Sequence, residues 1–117
     1  MDLNNAIQKH AEWKTRFRKA ISGQETMDAA AIAKDNCCEL GQWLHGDAKR
    51  QFGKLPAHAD CLQMHAIFHD EAAKIATLIN EKQFAAAEQM LEPGSFYTKA
   101  SSAVGVAIMH LKKTASL

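Results

Sequence analysis

The first apolar stripe of this chain has a histidine in the middle of it. Leu3, Ala6, His10, Trp13, Phe17 and Ala20 recur at alternating intervals of three and four residues, the period of one face of an α-helix. A stripe of this kind faces a core, and an imidazole placed in it needs a partner. A buried polar group without one costs roughly 1–3 kcal/mol. The fold must therefore be helical and must also supply something for that histidine to bind. The rest of the chain has the same character. Prolines stand only at positions 56 and 93, and Ala, Leu, Gln, Glu and Lys dominate. The Val/Ile/Thr alternation of strands is missing, so we expect an all-α fold.

Start and stop signals divide the chain. Asp2 is a good N-cap for the first helix, and Ser22-Gly23 ends it. Asp28 can cap a short turn through Lys34. Asp35 or Asn36 can cap a second piece running to about His45, which would place Cys38 in its first turn. The stretch GDAKRQFGKL reads as a basic loop. Pro56 suits the first turn of a long helix to about Asn80, with His58, Leu62, His65, Phe68, His69, Ala72, Ile75, Ala76 and Ile79 inward. Phe84 to Leu91 is a short helix stopped by Pro93-Gly94. Ser95 caps a last helix with Phe96, Ala100, Val104, Ala107 and Leu111 inward. Four substantial helices with short connections predict an antiparallel four-helix bundle with one additional short helix and a metal site in its core. At 117 residues, a single domain over 1–117 is expected.

Charge and composition exclude several classes of function. The net charge is +1, which gives no basic field for nucleic acid. Apolar runs are short and broken by charge, so no membrane insertion is expected. The opening MDLNNAIQKHAEW has an acid at position 2 and no apolar h-region, unlike a secretory signal. Three cysteines is an odd number, which favours reduced thiols or metal ligation over a disulfide framework. A cytoplasmic location is the resulting expectation.

The metal donors stand out against this background. His65 and His69 are four residues apart on one helical face, where two imidazoles can converge on one ion. Both fall on or beside the apolar stripe. With His10, three histidines occupy core positions on two helices, and a shared cation would satisfy all of them. Cys38 is the candidate fourth donor, near a helix N-terminus that would favour its thiolate. Cys37 and Cys61 compete for that role. Cys37 is offset by about 100° from Cys38 on a helix, so the two are unlikely partners on one ion. Cys61 lies two turns from His69, about 12 Å along the axis, so Cys61, His65 and His69 are too spread to share one tetrahedral ion comfortably.

Three segments, HAEWK at 10–14, CELGQWL at 38–44 and HAIFH at 65–69, together resemble the chemoreceptor zinc-binding domain family. Its pattern is His-x-x-Trp, then Cys-x-Leu-Gly-x-Trp, then His-x-x-Phe-His. The resemblance implies one Zn2+ per chain held by His10, Cys38, His65 and His69. It selects Cys38 over Cys37, because only position 38 has Leu, Gly and Trp at the family's offsets. Trp13, Leu40, Gly41, Trp43 and Phe68 would then pack around the site. It also implies a regulatory module of bacterial cytoplasmic signalling, working through a fused or separate signalling partner of chemotaxis or cyclic-di-GMP type, with a homodimer in view. A closed His3Cys set leaves no position open for substrate, so no enzymatic activity is expected. A di-iron bundle would need more inward carboxylates. A structural zinc domain with an interaction role alone is the alternative, and Cys38 offers a zinc- or redox-responsive switch in the first reading.

Overall fold

A computed structural model describes residues 1–117, and every regular element in it is helical. Three helices are long: α1 (Leu3–Gly23), α5 (Pro56–Asn80) and α7 (Phe96–Thr114). Between α1 and α5 lie α2 (Ala29–Ile32), α3 (Glu39–His45) and α4 (Asp47–Phe52), and α6 (Phe84–Gln89) precedes α7. The piece expected to run to about His45 is the seven-residue α3. The chain covers that stretch in three short pieces, with Gly46 standing between α3 and α4 as the C-cap of one and the N-cap of the other. The segment read as a basic loop contains α4, which buries Ala48 and half-buries Phe52 against the core. Its helix is amphipathic over too few residues to show a clear period in the sequence.

Caps set most boundaries where the sequence placed them. Asp2 accepts from the Asn5 N–H, Asp28 from Ala31 N–H and Ser95 from Thr98 N–H. The exception is α3. Its N-cap is Cys38, whose Sγ accepts from Gly41 N–H at 3.3 Å. Neither Asp35 nor Asn36 takes that role. The Asp35 carboxylate is drawn instead to His45 at 3.2 Å.

The direction of the long helices follows from their contacts. Phe17, late in α1, packs on Tyr97, early in α7, and Lys112, late in α7, bonds Asn4. So α1 and α7 are antiparallel. Asn80 at the end of α5 exchanges hydrogen bonds with Met27, just past the end of α1, so α1 and α5 run the same way. The short helices return the chain from the far end of α1 to the start of α5. On this path Ile32 meets His69 midway along α5, and Leu44 meets His58 in its first turn.

One cluster of 22 buried residues forms the core. The α1 and α5 stripes are inward as expected, with Trp13 and Leu62 only partly buried. In α7 Ala100, Val104, Ala107 and Leu111 are inward as expected, and only the first position of the stripe differs. Phe96 is 75 % exposed, and Tyr97 is buried against Phe17 and Phe68 at centroid distances of 5.7 and 5.6 Å. Both positions fit the helical period that reaches Ala100. Only the aromatic partners on α1 and α5 decide between them.

Candidate metal centre

The four donors arrive from three elements. His10 sits midway along α1, His65 and His69 are one turn apart on α5, and Cys38 caps α3. Their ligand atoms all lie within 4.8 Å of one another. His69 Nε2 is 3.0 Å from His65 Nε2, which is 3.1 Å from His10 Nε2. Cys38 Sγ is 3.3 Å from His65 Nε2 and 3.7 Å from His69 Nε2. A tetrahedral zinc with ordinary bond lengths holds its nitrogens about 3.3 Å apart and its sulfur about 3.6 Å from each nitrogen. These four separations are close to those edges, and the remaining two pairs lie within 4.8 Å.

Proton counting leads to the same conclusion. His10 Nδ1 is 2.7 Å from the Ala6 carbonyl oxygen, and His69 Nδ1 is 2.8 Å from that of Ile32. A carbonyl only accepts, so each Nδ1 carries the proton and donates it. Each Nε2 is then a bare lone pair. Both point at His65 Nε2, which has at most one proton to give. Without an ion, His65 can serve only one of these lone pairs, and the other is left to the Cys38 thiol, whose Sγ is 3.7 Å from His69 Nε2. A cation between them would take all three lone pairs and the sulfur at once. The carbonyls of Ala6 and Ile32 then orient the rings of His10 and His69, the usual arrangement around a metal-bound imidazole. His65 Nδ1 is buried without a partner, and its ring packs edge-on against His10 and His69 at 5.0 and 4.5 Å.

Burial governs the charge state of each donor. Desolvation, reinforced by the neighbouring imidazoles, pushes His65 down to about 3. His10 is lowered by burial, partly offset by its bond to Ala6. Both are therefore neutral and able to ligate at neutral pH. Burial raises the Cys38 thiol, against the pull of the N–H groups of Gly41 and Leu40. The helix end is thus too weak by itself to make the thiolate, contrary to the expectation from sequence. The ion must supply the remaining stabilisation.

The other candidate residues fall into place around this cluster. Cys37 lies in the loop before α3, exposed, its Sγ 3.6 Å from Asn36 Oδ1. Cys61 is completely buried in the core. Neither joins the converging donors. His58 is buried and bonds the Leu44 carbonyl through Nε2 at 2.9 Å, a structural role. Phe68 packs edge-on against His10 and His69 at 5.2 and 5.6 Å. Leu40 is buried beside His10 and Cys38. Trp13 walls the site under the guanidinium of Arg16, 3.8 Å from its ring centroid. Trp43 lies 6.4 Å from Phe52 of α4 and joins α3 to α4. Gly41 has a specific steric reason. A Cβ there would run into the Asp35 carbonyl oxygen, so the loop that carries Cys38 can lie on α3 only if position 41 is glycine. The Ile32 carbonyl could not be found from sequence, since nothing marks a backbone oxygen on a distant short helix. The Ala6 carbonyl could, because it is one helical turn before His10.

A model of the chemoreceptor zinc-binding domain matches residues 10–76. That span holds all four donors and more than half of the chain. The chain belongs to the chemoreceptor zinc-binding domain family. No curated protein and no solved structure matches it. As a member of this zinc-binding family it carries the donor set for one Zn2+, and the set draws together α1, α3 and α5. No helix of this domain is long and apolar enough to cross a membrane.

Proposed function

We propose that this chain is a cytoplasmic zinc-binding sensory or regulatory module, not an enzyme. Its output would pass to a protein signalling partner or a fused signalling domain, of chemotaxis or cyclic-di-GMP type, with the module acting as a homodimer. The observation that carries this reading is the convergence of four soft donors from three helical elements on one point. Such a centre, when loaded, links α1 to α5 through α3. The ion supplies the positive charge that holds the sulfur as thiolate and takes the three imidazole lone pairs. The chain's own residues do the rest. His10 and His69 are held in the ligating tautomer by Ala6 and Ile32. Gly41 lets the Cys38 loop close onto α3.

Cys38 is the switch in this scheme. It caps α3 through Gly41 N–H and is only partly buried. Loss of its sulfur from the donor set, through oxidation or loss of the ion, uncouples α3 and the loop before it from α1 and α5. That is a local rearrangement with a two-state element, as signalling requires. A purely structural zinc domain is less well supported, because the apolar core extends well beyond the centre, through Phe17, Tyr97, Ile108 and Leu111. Cys38→Ser and His69→Ala should each sharply lower zinc affinity in a competition titration. Chelation should raise amide exchange across 33–46 while α5 and α7 stay protected. Full zinc affinity in Cys38→Ser would refute the donor assignment. Global unfolding on chelation would favour the structural reading.

A further inference from the structure

Apart from the chain ends, Met1 and Leu117, every large apolar side chain left exposed stands on α5 or α7. Val106 is 71 % exposed, Met109 49 % and Ile67 39 %. Single exposed apolar residues are ordinary, whereas a contiguous band marks an interaction surface. These form a band. A groove of about 610 Å3 runs between the two helices, with Met64 on one wall and Ala103 and Val106 on the other. Ile67 continues Met64 by one turn of α5, and Met109 continues Val106 by one turn of α7. Each wall is a helical stripe with the same spacing, Asp60, Met64, Ile67 and Glu71 on α5 and Lys99, Ala103, Val106 and His110 on α7.

The ends of both stripes are charged or polar, and the signs differ between the helices. Asp60 and His110 stand at one end of the groove. The helices are antiparallel, because α7 opposes α1 and α5 runs with it. The rise from Met64 to Glu71 equals the rise from Val106 back to Lys99, so Glu71 and Lys99 share a level at the other end. At each level an acid on α5 faces a basic side chain on α7. Neither pair is joined within the chain. Glu71 bonds Lys74 through Oε1, and its Oε2 is buried without a partner. Asp60, Lys99 and His110 enter no ion pair. A surface that is acidic along one wall, basic along the other and apolar between is complementary to itself. A two-fold axis parallel to the helices sets α5 of one copy beside α7 of the other with every level preserved.

We propose that the α5/α7 groove is the surface through which two copies of this chain pair. The proposal rests on the homodimer of the reading above and gives it an interface. The two grooves close on each other as a four-helix bundle, α5 and α7 from each copy. Met64, Ile67, Ala103 and Val106 make its apolar middle. Asp60 meets His110 of the other copy at one end, and Glu71 meets Lys99 of the other copy at the opposite end. The apolar middle supplies affinity, and the polar ends fix the alignment. The α5 stripe lies roughly 150° round the helix from His65 and His69. The cavity that reaches Cys38 and His69, with Cys37 on its wall, opens beside α1 and α2. Pairing through α5 and α7 therefore leaves the metal donors uncovered.

Sedimentation equilibrium of the whole chain tests this, with wild type, Val106→Glu, His110→Glu and the double variant Asp60→Lys/His110→Glu. All three positions are exposed, so the variants should keep wild-type helix content and cooperative unfolding. Wild type should dimerise, and Val106→Glu should raise the dissociation constant about tenfold or more. His110→Glu sets two acids against each other in the pair and should weaken it several-fold, less so at high salt. Adding Asp60→Lys should restore the pair, because every copy then carries both changes. A wild type that stays monomeric at its highest soluble concentration overturns the interface together with the homodimer, and leaves the groove to a partner of another sequence. A dimer that Val106→Glu leaves intact overturns the interface alone, since the copies then pair elsewhere. Failure of Asp60→Lys to rescue His110→Glu overturns the alignment of α5 on α7.

Discussion

Two seams meet on α5. Toward α1 and α3 the seam holds His10, Cys38, His65 and His69. On the other side α7 contributes Val104, Ile108 and Leu111, all at most 1 % exposed. Both seams use the same helical period. They differ in what satisfies them. The apolar seam is complete once water is excluded, because dispersion and burial need no third party. The donor seam packs three imidazoles and a thiol together, and an ion would take all their lone pairs at once. One side of α5 therefore owes its stability to burial, and the other responds to metal and pH. In the proposed switch, this division would keep the fold while the donor side changes.

Breaking the apolar seam should have the largest effect. Ile108→Ala removes a fully buried side chain and should cost about 2–5 kcal/mol. Denaturant unfolding should show the same loss with and without zinc, and zinc stoichiometry should stay at one per chain. A loss seen only in the zinc-loaded protein would erase the distinction between the seams.

Acid should act on the donor seam alone. His65 is pushed down to about 3 in the fold, chiefly by burial and then by its imidazole neighbours, from an ordinary 6.5. The unfolded chain therefore takes up the proton first. The metal-free protein keeps its full stability above about pH 6.5 and loses it as pH falls from there toward 3. At about pH 4.5 the loss from this group is about 2–3 kcal/mol. Burial lowers His10 in the same direction. Chemical denaturation of chelated protein across that window checks this. A flat profile in wild type, or an equal slope in His65→Phe, would show that the histidines are not the acid-sensitive element.

Gly41→Ala tests whether steric closure of the Cys38 loop matters to the centre. Its Cβ meets the Asp35 carbonyl, so the loop must shift, at about 1–3 kcal/mol. Zinc affinity should fall with it, because the cap that shifts is Cys38. Unchanged affinity would mean the loop can move without carrying the sulfur away. The smallest effect is expected at Cys61→Ala, about 1 kcal/mol with zinc affinity unchanged. Cys61 is buried in the apolar core, and any loss of zinc there would put it among the donors.

Cys61, His65 and His69 look like a ladder of three donors on one helix, and three-dimensional placement separates them. His58 and His65 make the same point more sharply. Both are buried histidines on the inward side of α5, two turns apart. His58 ends on the Leu44 carbonyl, and His65 faces two imidazoles and a thiol. Helical period alone does not tell them apart; only the i, i+4 partner His69 and the HAIFH match single out His65, and what each meets is supplied by α3 and α1. The motif pattern around Cys38 selected the cysteine that lies with the three histidines. The cap itself was misplaced, since Asp35 is the better cap by propensity, but its carboxylate is taken by His45. The α7 stripe was legible to within one residue, and Tyr97 replaced Phe96 for lack of local information.

The sequence by itself determined that this chain is helical, where its long helices begin, and which residue types could hold a soft metal. Those are local matters of period, cap and side-chain chemistry, and they are written residue by residue. Tertiary structure alone decided that the return from α1 to α5 includes α4, that Ile32 offers the carbonyl for His69, and that Asp35 demands glycine at 41. It also set Cys37 on the wall of a cavity that ends at the metal donors. Each of these joins residues that the sequence keeps far apart or in a loop, where no periodicity records the contact.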